Sequence, residues 1–309
     1  MNGGLASILV TGGLGFIGSN LVRELRRRGH DVWFCDLAHS GDPRSVRCDV
    51  SRYRQLKKVF GLREFDYVYH LAAEYGRWNG EDYYENLWLT NVVGTKNLIR
   101  IQEKRGFRMI FFSSAEVYGD YSGVMREDVP ERVHIHLLND YAMTKWVGEM
   151  MIKNSRMQYG TETVVVRPFN VYGPGEHYHP YRGFIPKFIY CALHDLPYTV
   201  YLGHKRTLEY VDDFCRAVAN IVDNFKPGEV YNIGGDEQYE IKYISDLILG
   251  CLGKDDSKVT YREAEPFTTR VKKPDSSKAK RDLGFRVTVK PEEGIPRTIE
   301  WFKTVYSRG

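Results

Sequence analysis

The sequence predicts an α/β fold, a doubly wound parallel sheet with a smaller carboxyl-terminal lobe. Three observations support it. Short apolar runs alternate with amphipathic stretches over the first half of the chain, which is typical of parallel strands joined by helices. A glycine-rich turn follows the first apolar run, and an acidic residue ends the second. Right-handed crossovers in such a sheet place a ligand cleft at the carboxyl ends of the strands.

The individual elements follow from the same patterns. Apolar runs predict strands at residues 8–10, 32–36, 46–48, 67–70, 109–113, 163–166 and 230–232. Amphipathic spacing predicts helices around residues 20–28, 56–60, 83–102, 141–159 and 214–222. The alternation is lost in a loop over residues 171–183, which is rich in Gly, Pro, Tyr and His, and it resumes over residues 209–234. We therefore expect one domain from residues 1–169 and 209–237, and a smaller lobe from residues 170–208 and 238–309.

The turn after the first strand carries three glycines, Gly12, Gly15 and Gly18. Missing side chains there allow a tight turn, close approach of a pyrophosphate to backbone N–H groups, and packing of the next helix on the strand. Asp36 ends the second strand about 20 residues further on, where a carboxylate accepts hydrogen bonds from adenosine ribose. Because an acid at that position repels the 2′-phosphate of NADP, the pattern predicts NAD as the cofactor.

Composition is that of a globular protein, with 42% hydrophobic residues, 27% charged residues and a net charge of +4 over 309 residues. The run Arg26-Arg27-Arg28 ends a predicted helix, where cations suit the helix dipole, so we expect no nucleic-acid partner. Five widely spaced cysteines form no CxxC or Cys/His cluster, which favours reduced thiols in a cytoplasmic protein and no bound metal. No run approaches the roughly 18 apolar residues of a membrane span, and we expect neither an export signal nor an anchor.

The chemistry is expected at Ser114, which follows a strand, and at Tyr141 and Lys145, which lie four apart on one face of a helix. A tyrosine has a pKa of about 10, but a nearby ammonium and a positively charged nicotinamide ring both favour the phenolate. A decrease of two to three pKa units is worth roughly 3–4 kcal/mol and would let Tyr141 act as a base. Ser114 could hydrogen-bond the same substrate hydroxyl.

With these motifs the chain resembles the extended short-chain dehydrogenase/reductase family, in particular its NAD-dependent nucleotide-sugar epimerases and dehydratases. The resemblance covers essentially the whole length. The matching segments are T-G-G-L-G-F-I-G at 11–18, C-D-V at 48–50, H-L-A-A at 70–73, N-V-V-G-T at 91–95, S-S-A-E-V-Y-G at 113–119, Y-A-M-T-K at 141–145, R-P-F-N-V-Y-G-P-G at 167–175, Y-V-D-D at 210–213 and N-I-G-G at 232–235. The set is specific for the family and less specific for one reaction within it.

The resemblance implies a Rossmann domain that holds NAD and a lobe that binds a nucleoside-diphosphate sugar. Tyr141 would take a proton from a sugar hydroxyl, Lys145 would bind nicotinamide ribose and lower the pKa of the tyrosine, and Ser114 would orient the hydroxyl. The implied cofactor contacts are Gly12, Gly15, Phe16, Ile17, Gly18, Asp36, Asp49, Val50, Leu71, Ala72, Ala73, Asn91, Tyr141 and Lys145.

Substrate contacts are implied in the same way. Asn170 matches a nucleotide-sugar contact, and Arg206 matches an arginine that grips the nucleotide. Arg270 is a plausible diphosphate partner, because a guanidinium binds phosphate through two hydrogen bonds, although residues 265–269 depart from the family pattern. Alternatively, Arg270 is a surface arginine that contacts no substrate.

The residues after Ser114 leave the reaction open. In relatives that eliminate water, an acid followed by glutamate stands at this strand end. Here Ala115 occupies the acid position, which counts against 4,6-dehydration, while Glu116 is retained. A carboxylate beside a 4-keto sugar could abstract the C5 proton or support elimination or decarboxylation. Alternatively, Glu116 only hydrogen-bonds the backbone of its loop.

Further candidates have weaker support. Glu74 could hydrogen-bond sugar hydroxyls and Arg77 could bind a uronate, while His177 with His179 is expected to face substrate or solvent rather than a metal. Two predicted helices, 83–102 and 141–159, resemble those that pair in family homodimers, with Val147, Met150 and Met151 as apolar positions; a homodimer is therefore expected.

The sequence thus predicts an NAD-dependent nucleotide-sugar epimerase that acts by transient oxidation, at C4. The nearest alternative is a dehydratase or uronate decarboxylase that uses Glu116. A remote alternative is a non-catalytic NAD-sensing or RNA-associated binding protein, against which the intact Ser114, Tyr141 and Lys145 speak.

Overall fold

The centre of the computed structural model, which describes residues 5–76, 83–263 and 265–306, is a sheet of parallel strands. The strands of the described residues are β1 (Ser7–Thr11), β2 (Asp31–Asp36), β3 (Ser45–Arg47), β4 (Tyr67–His70), β5 (Arg108–Phe112), β6 (Val124–Met125), β7 (Thr163–Pro168), β8 (Val171–Tyr172), β9 (Tyr198–Tyr201), β10 (Lys205–Arg206), β11 (Glu209–Tyr210), β12 (Val230–Ile233), β13 (Tyr239–Glu240), β14 (Val259–Arg262) and β15 (Lys273–Pro274). The helices are α1 (Phe16–Arg27), α2 (Tyr53–Leu62), α3 (Tyr84–Trp88), α4 (Gly94–Arg105), α5 (Val129–Arg132), α6 (Asp140–Tyr159), α7 (Phe184–Leu193), α8 (Val211–Ala219), α9 (Ile241–Leu252), α10 (Ser277–Leu283) and α11 (Pro291–Tyr306).

The sheet has the strand order β12-β7-β5-β4-β1-β2-β3, and every pair in it is parallel. The chain begins near the middle of the sheet and winds outward in both directions. The strand order therefore reverses beside β1, and a crevice opens there at the carboxyl ends of β1 and β4. The expected doubly wound α/β fold is confirmed.

Both faces of the sheet are covered by helices, which explains why its strands are apolar throughout. One face packs against α1 and α8 in a core that includes Leu21, Leu25 and Phe214. The other face packs against α2 and α4 in a core that includes Leu56 and Leu98. Helix α8 begins at residue 211, three residues before the predicted start, because Asp212 and Asp213 suit the positive end of the helix dipole.

The helix predicted over residues 83–102 is not one regular helix. Helix α3 passes into a π-helical turn at Leu89–Val93, which continues as α4. Within that turn the side chain of Asn91 bonds the backbone of Glu74 in both directions and also donates to the Thr144 hydroxyl. A π turn of this kind is common near functional sites, and here it fixes the loop after β4.

A separate apolar core lies in the carboxyl-terminal part of the chain. It joins α7, α9 and α11 through residues such as Phe188, Ile244, Ile248 and Phe302. The division into domains at residues 170–208 and 238–309 stays a prediction, which this second core supports.

A buried ion pair lies beneath the end of β5. The Arg167 guanidinium donates to both carboxylate oxygens of Glu149 at 2.9 and 2.7 Å, and neither side chain is exposed. Arg167 also donates to the Tyr118 hydroxyl, and Ser113 donates to Glu149. The pair therefore ties β7 and α6 to the segment that carries Ser114.

Among the described helices, none combines the length and apolarity needed to cross a bilayer.

Candidate active site

A cavity of about 550 Å³ opens at the carboxyl ends of β1, β2, β4 and β5. Its walls come from the glycine turn, from the ends of these strands, from the start of α6 and from the segments 168–172 and 181–186. It brings together most of the residues predicted from the sequence: Gly12, Gly15, Phe16, Ile17, Gly18, Asp36, Asp49, Val50, Leu71, Ala72, Ala73, Glu74, Ser114, Tyr141, Lys145 and Asn170.

The glycine turn leaves a backbone cradle at one end of this cavity. Gly12 has a φ of +71°, and a Cβ there would lie 2.8 Å from the Ala72 nitrogen. A Cβ on Gly18 would lie 2.0 Å from the Gly12 carbonyl oxygen. Helix α1 starts after Gly15, which supplies no side-chain cap, so the first backbone N–H groups of the helix have no partner within it. This arrangement fits a pyrophosphate.

Asp36 stands at the end of β2, on the rim of the same cradle. Its Oδ2 accepts a hydrogen bond from the Leu14 backbone at 3.0 Å and its Oδ1 one from Ala38 at 3.3 Å. These bonds orient the carboxylate, which has further lone pairs for ribose hydroxyls. Asp49 is oriented in the same manner by Ser51, whose N–H and hydroxyl both donate to it. The adenosine end of NAD fits these residues.

A buried chain of hydrogen bonds holds the wall formed by Ala72 and Ala73. The Thr11 hydroxyl contacts His70 Nδ1 at 2.8 Å, and His70 Nε2 contacts the Thr95 hydroxyl at 3.0 Å. The Ala72 N–H donates to the Thr11 hydroxyl. Burial, with a smaller effect of Lys145, lowers the pKa of His70 to about 3. His70 is thus a neutral positioning residue at pH 7.

Ser114, Tyr141 and Lys145 meet at the other end of the cavity. Asn139 caps helix α6 by accepting a hydrogen bond from the Ala142 N–H at 2.9 Å, and this places Tyr141 in the first turn of the helix. Lys145 Nζ donates to the Phe112 carbonyl at 2.8 Å and lies 5.8 Å from the centre of the Tyr141 ring. Ser114 and Tyr141, which share a hydrogen bond, can therefore act on one substrate hydroxyl, with Lys145 beside them.

Burial dominates the ionisation of this group. It raises the pKa of Tyr141 to about 12, an effect that the hydrogen bond with Ser114 only partly offsets. It lowers the pKa of Lys145 to about 7. The expected decrease in the pKa of Tyr141 is therefore not a property of the protein alone, because desolvation outweighs the hydrogen bond with Ser114 and the charge of Arg182. A phenolate at this position depends on positive charge brought in with the cofactor.

Glu116 is not part of the cavity wall. Its carboxylate forms an ion pair with Lys272 Nζ at 2.5 Å, although it remains near enough to Tyr141 to raise the pKa of that phenol. Lys272 is buried and comes from the segment before β15. The adjacent Ala115 is buried in a small apolar cluster.

Four other predicted residues also lie off the cavity wall, and Arg77 lies outside the described residues. Asn91 stands behind the wall, where it holds Glu74. Arg206 is buried and donates to the carbonyls of Lys205 and Arg270 and to the Thr268 hydroxyl. Arg270 is exposed, and His177 packs between Trp301 and Tyr306 of α11.

Two charged residues of the cavity wall were missed by sequence reasoning, Glu176 and Arg182. The Arg182 guanidinium lies 3.9 Å from the ring centre of Tyr75 and acts on the charge of both Tyr141 and Glu176. No spacing rule marks either residue, since both lie in an irregular loop. The described residues hold no group of three potential metal ligands.

Comparisons with known proteins agree with this geometry. The model of the "NAD dependent epimerase/dehydratase family" matches residues 8–234. The UDP-N-acetyl-alpha-D-glucosaminuronate decarboxylase of Bacillus cytotoxicus is 31% identical over 96% of this chain and 98% of its own length. The dTDP-glucose 4,6-dehydratase of Salmonella typhimurium is 30% identical over 96% of this chain and 92% of its own. The structure of UDP-glucose 4-epimerase from Thermotoga maritima superposes with a TM-score of 0.86, at 28% identity, over 96% of this chain and 99% of that one.

Proposed function

The chain belongs to the NAD-dependent epimerase/dehydratase family and is an NAD-dependent enzyme that modifies nucleotide sugars; from this premise we propose that it is an epimerase. It would invert a hydroxyl-bearing carbon of the sugar, C4, by transient oxidation to a keto sugar. The observation that carries the proposal is the convergence of Ser114, Tyr141 and Lys145 on one cavity wall, while the neighbouring Glu116 is bound to Lys272.

The chain's own residues would perform three tasks. Ser114 orients the reacting hydroxyl, Tyr141 removes its proton and later returns it, and Lys145 would bind the nicotinamide ribose. Asp36 and the start of α1 would hold the two ends of the cofactor's adenosine diphosphate. Bound NAD would supply a reversible acceptor for the hydride that leaves the sugar carbon. Epimerisation then needs no further acid or base, which agrees with Ala115 and with the pairing of Glu116.

A lyase, either a dehydratase or a uronate decarboxylase, is the second candidate. It is supported by Glu116, which lies near enough to Tyr141 to affect its pKa, and by Arg182, a cation on the cavity wall. Two of the similar proteins are a decarboxylase and a dehydratase. In that case Glu116, held by Lys272, would act as the base toward carbon.

A homodimer and a cytoplasmic location complete the proposal. Helices α4 and α6 pack side by side. Exposed apolar side chains lie on the π-helical turn before α4, at Leu89 and Val93, and on α6, at Met143 and Met150. Met150 is exposed as a dimer contact requires, whereas Val147 and Met151 are half-buried. All five cysteines are free thiols, which supports a reducing compartment.

The reaction is tested by incubating the NAD-loaded protein with UDP-, dTDP-, GDP-, CDP- and ADP-hexoses and uronates in heavy water. We expect an isobaric product inverted at C4. Loss of water or carbon dioxide would establish the lyase instead, and deuterium at C5 would assign Glu116 to carbon chemistry.

Tyr141→Phe tests in the same assay whether the Tyr141 hydroxyl is catalytic. It removes only the hydroxyl, and we expect turnover to fall at least about 100-fold because general acid–base catalysis contributes roughly 10²–10⁴-fold. Unchanged turnover would overturn the catalytic assignment. The absence of any product from the unaltered protein would favour a binding protein.

A further inference from the structure

Glu176 is an acidic side chain on the cavity wall that the proposed reaction does not use. It follows the turn Gly173-Pro174-Gly175, in which both glycines have positive φ angles, +146° and +98°. This backbone turns Glu176 into the cavity and leaves it 8% exposed. The next residue, His177, points away and packs on Trp301. The loop therefore presents one carboxyl to the ligand.

This carboxyl is buried without direct compensation from the part of the chain that the structure describes. Within residues 5–76, 83–263 and 265–306, no hydrogen bond to the Glu176 carboxyl contributes to its ionisation, and Arg182 acts on it through charge alone. A buried carboxyl in that state is costly, and burial raises the pKa of Glu176 to about 7. Its oxygens are thus available to a ligand.

Glu176 lines the same cavity as Tyr141. Arg182 lowers the pKa of Glu176 and also that of Tyr141, so both groups are within electrostatic range of the same guanidinium. That guanidinium rests on the ring of Tyr75 and does not pair with Glu176. The loop itself packs on α1, where the Asn20 amide donates to the Pro174 carbonyl at 3.1 Å. Glu176 therefore lies within electrostatic reach of a sugar bound at Tyr141.

We propose that the Glu176 carboxylate accepts hydrogen bonds from hydroxyl groups of the sugar and selects neutral sugars over sugars that carry a carboxylate. A hydroxyl donor satisfies the buried oxygens, whereas a uronate would bring a second negative charge to the same site. The selection works by rejection as well as by attraction. The inference rests on the proposed function only in taking this cavity as the nucleotide-sugar site.

Proton release offers a readout that does not need turnover. At pH 7 Glu176 is partly protonated, and hydroxyl donors favour its ionised form, so a neutral sugar releases a proton on binding. Arg182 is the charged group that acts on Glu176. The other titratable groups on the cavity wall are Asp36, Cys48, Asp49, Glu74, Tyr75, Tyr141, Lys145, Tyr172 and Tyr181.

The test compares UDP-glucose with UDP-glucuronate, which share the nucleotide. Titration calorimetry on the NAD-loaded protein at pH 7, in two buffers of different ionisation enthalpy, gives both affinity and protons released. We expect the unaltered protein to prefer UDP-glucose and to release a fraction of a proton with it. Glu176→Gln should reduce the preference at least about tenfold, since a like charge is removed, and should abolish that release.

The exposed Glu300→Gln, on α11, is the matched control and should change neither quantity. Thermal unfolding of Glu176→Gln checks that it folds. An unchanged preference in folded Glu176→Gln, or a preference for UDP-glucuronate in the unaltered protein, would overturn the proposal. Selective binding by a protein that turns over no sugar would contradict the epimerase function alone, and binding of neither sugar would contradict both.

Discussion

Arg167 shows how much one buried residue supports around the site. Its guanidinium satisfies Glu149 and Tyr118, and Tyr118 in turn donates to Asn232 at 2.7 Å. The pair with Glu149 raises the pKa of Arg167 beyond its usual high range, although burial acts the other way. Removing one partner leaves the other charge buried and unpaired, which is the costly way to lose an ion pair.

We therefore expect Arg167→Met to lower the free energy of unfolding by about 3–5 kcal/mol. The double variant Arg167→Met/Glu149→Leu should recover part of that loss, because no charge is left buried. Arg297→Met, whose partner Glu293 is exposed, should cost under about 0.5 kcal/mol. Urea unfolding measures all three. If Arg167→Met lowers the free energy of unfolding no more than Arg297→Met does, the hydrogen-bond network around Arg167 does not stabilise the fold.

At the level of elements, the glycine turn packs so closely on helix α1 that there is no space for a side chain at Gly18. Gly18 faces the Gly12 carbonyl across the turn, while Gly61 in α2 has nothing within 4 Å of its Cβ position. Both glycines are helical and neither has a positive φ. They make a pair of helical glycines, one tightly packed and one with open space around it.

Gly18→Ala should weaken NAD binding at least about tenfold and cost about 1–3 kcal/mol of stability, because the turn must move to admit the methyl group. Gly61→Ala should bind NAD normally and be neutral or up to about 1 kcal/mol more stable, since alanine is the better helix former. Calorimetric titration with NAD and urea unfolding decide the matter. Equal NAD affinity in the two variants would contradict the proposal that the glycine turn binds the pyrophosphate of NAD.

These elements also show what the sequence could and could not predict. The strands, the glycine turn and the Tyr141–Lys145 spacing are local patterns, and each was expected at its observed place. The surroundings of Glu116, Arg206 and His177 depend on Lys272, on residues 268–270 and on α11, which are far away along the chain. No local pattern reports such contacts, so these side chains were expected in the cleft.

For the whole molecule, buried carboxyls make stability depend on pH. Burial raises the pKa of Glu176 and of Glu209 to about 7 from an ordinary 4.5. Between pH 4.5 and 7 the folded protein binds more protons at these sites than the unfolded chain, so their contribution to stability is lost as pH rises. His70, with its lowered pKa, acts in the opposite sense, since its contribution is lost as pH falls below 6.5.

The effect of Glu176 on the pH dependence of stability can be separated from that of the other groups by comparing the unaltered protein with Glu176→Gln. Relative to the unaltered protein, Glu176→Gln should gain roughly 1–3 kcal/mol of unfolding free energy between pH 5 and pH 7. Urea unfolding at the two pH values measures this. His70 contributes equally to both proteins and cancels. A difference independent of pH would show that Glu176 is ionised throughout.

The proposed dimer is the second property of the whole molecule. Met150→Glu places a charge in the exposed apolar face of α6 and should shift the mass in light scattering from dimer to monomer. Leu62→Glu, at an exposed apolar position of α2, should leave the dimer intact. A monomeric unaltered protein would remove the proposal.

The long-range contacts of the site have a consequence for the order in which it is made. Every residue on the cavity wall is synthesised by residue 186. Three supports of the site emerge later. They are Asn232, which accepts the Tyr118 hydrogen bond, Lys272, which pairs with Glu116, and the edge strand β12. A growing chain on the ribosome thus carries every residue of the cavity wall before it has the parts that hold this wall in place, so we expect cofactor capture to await the last third of translation.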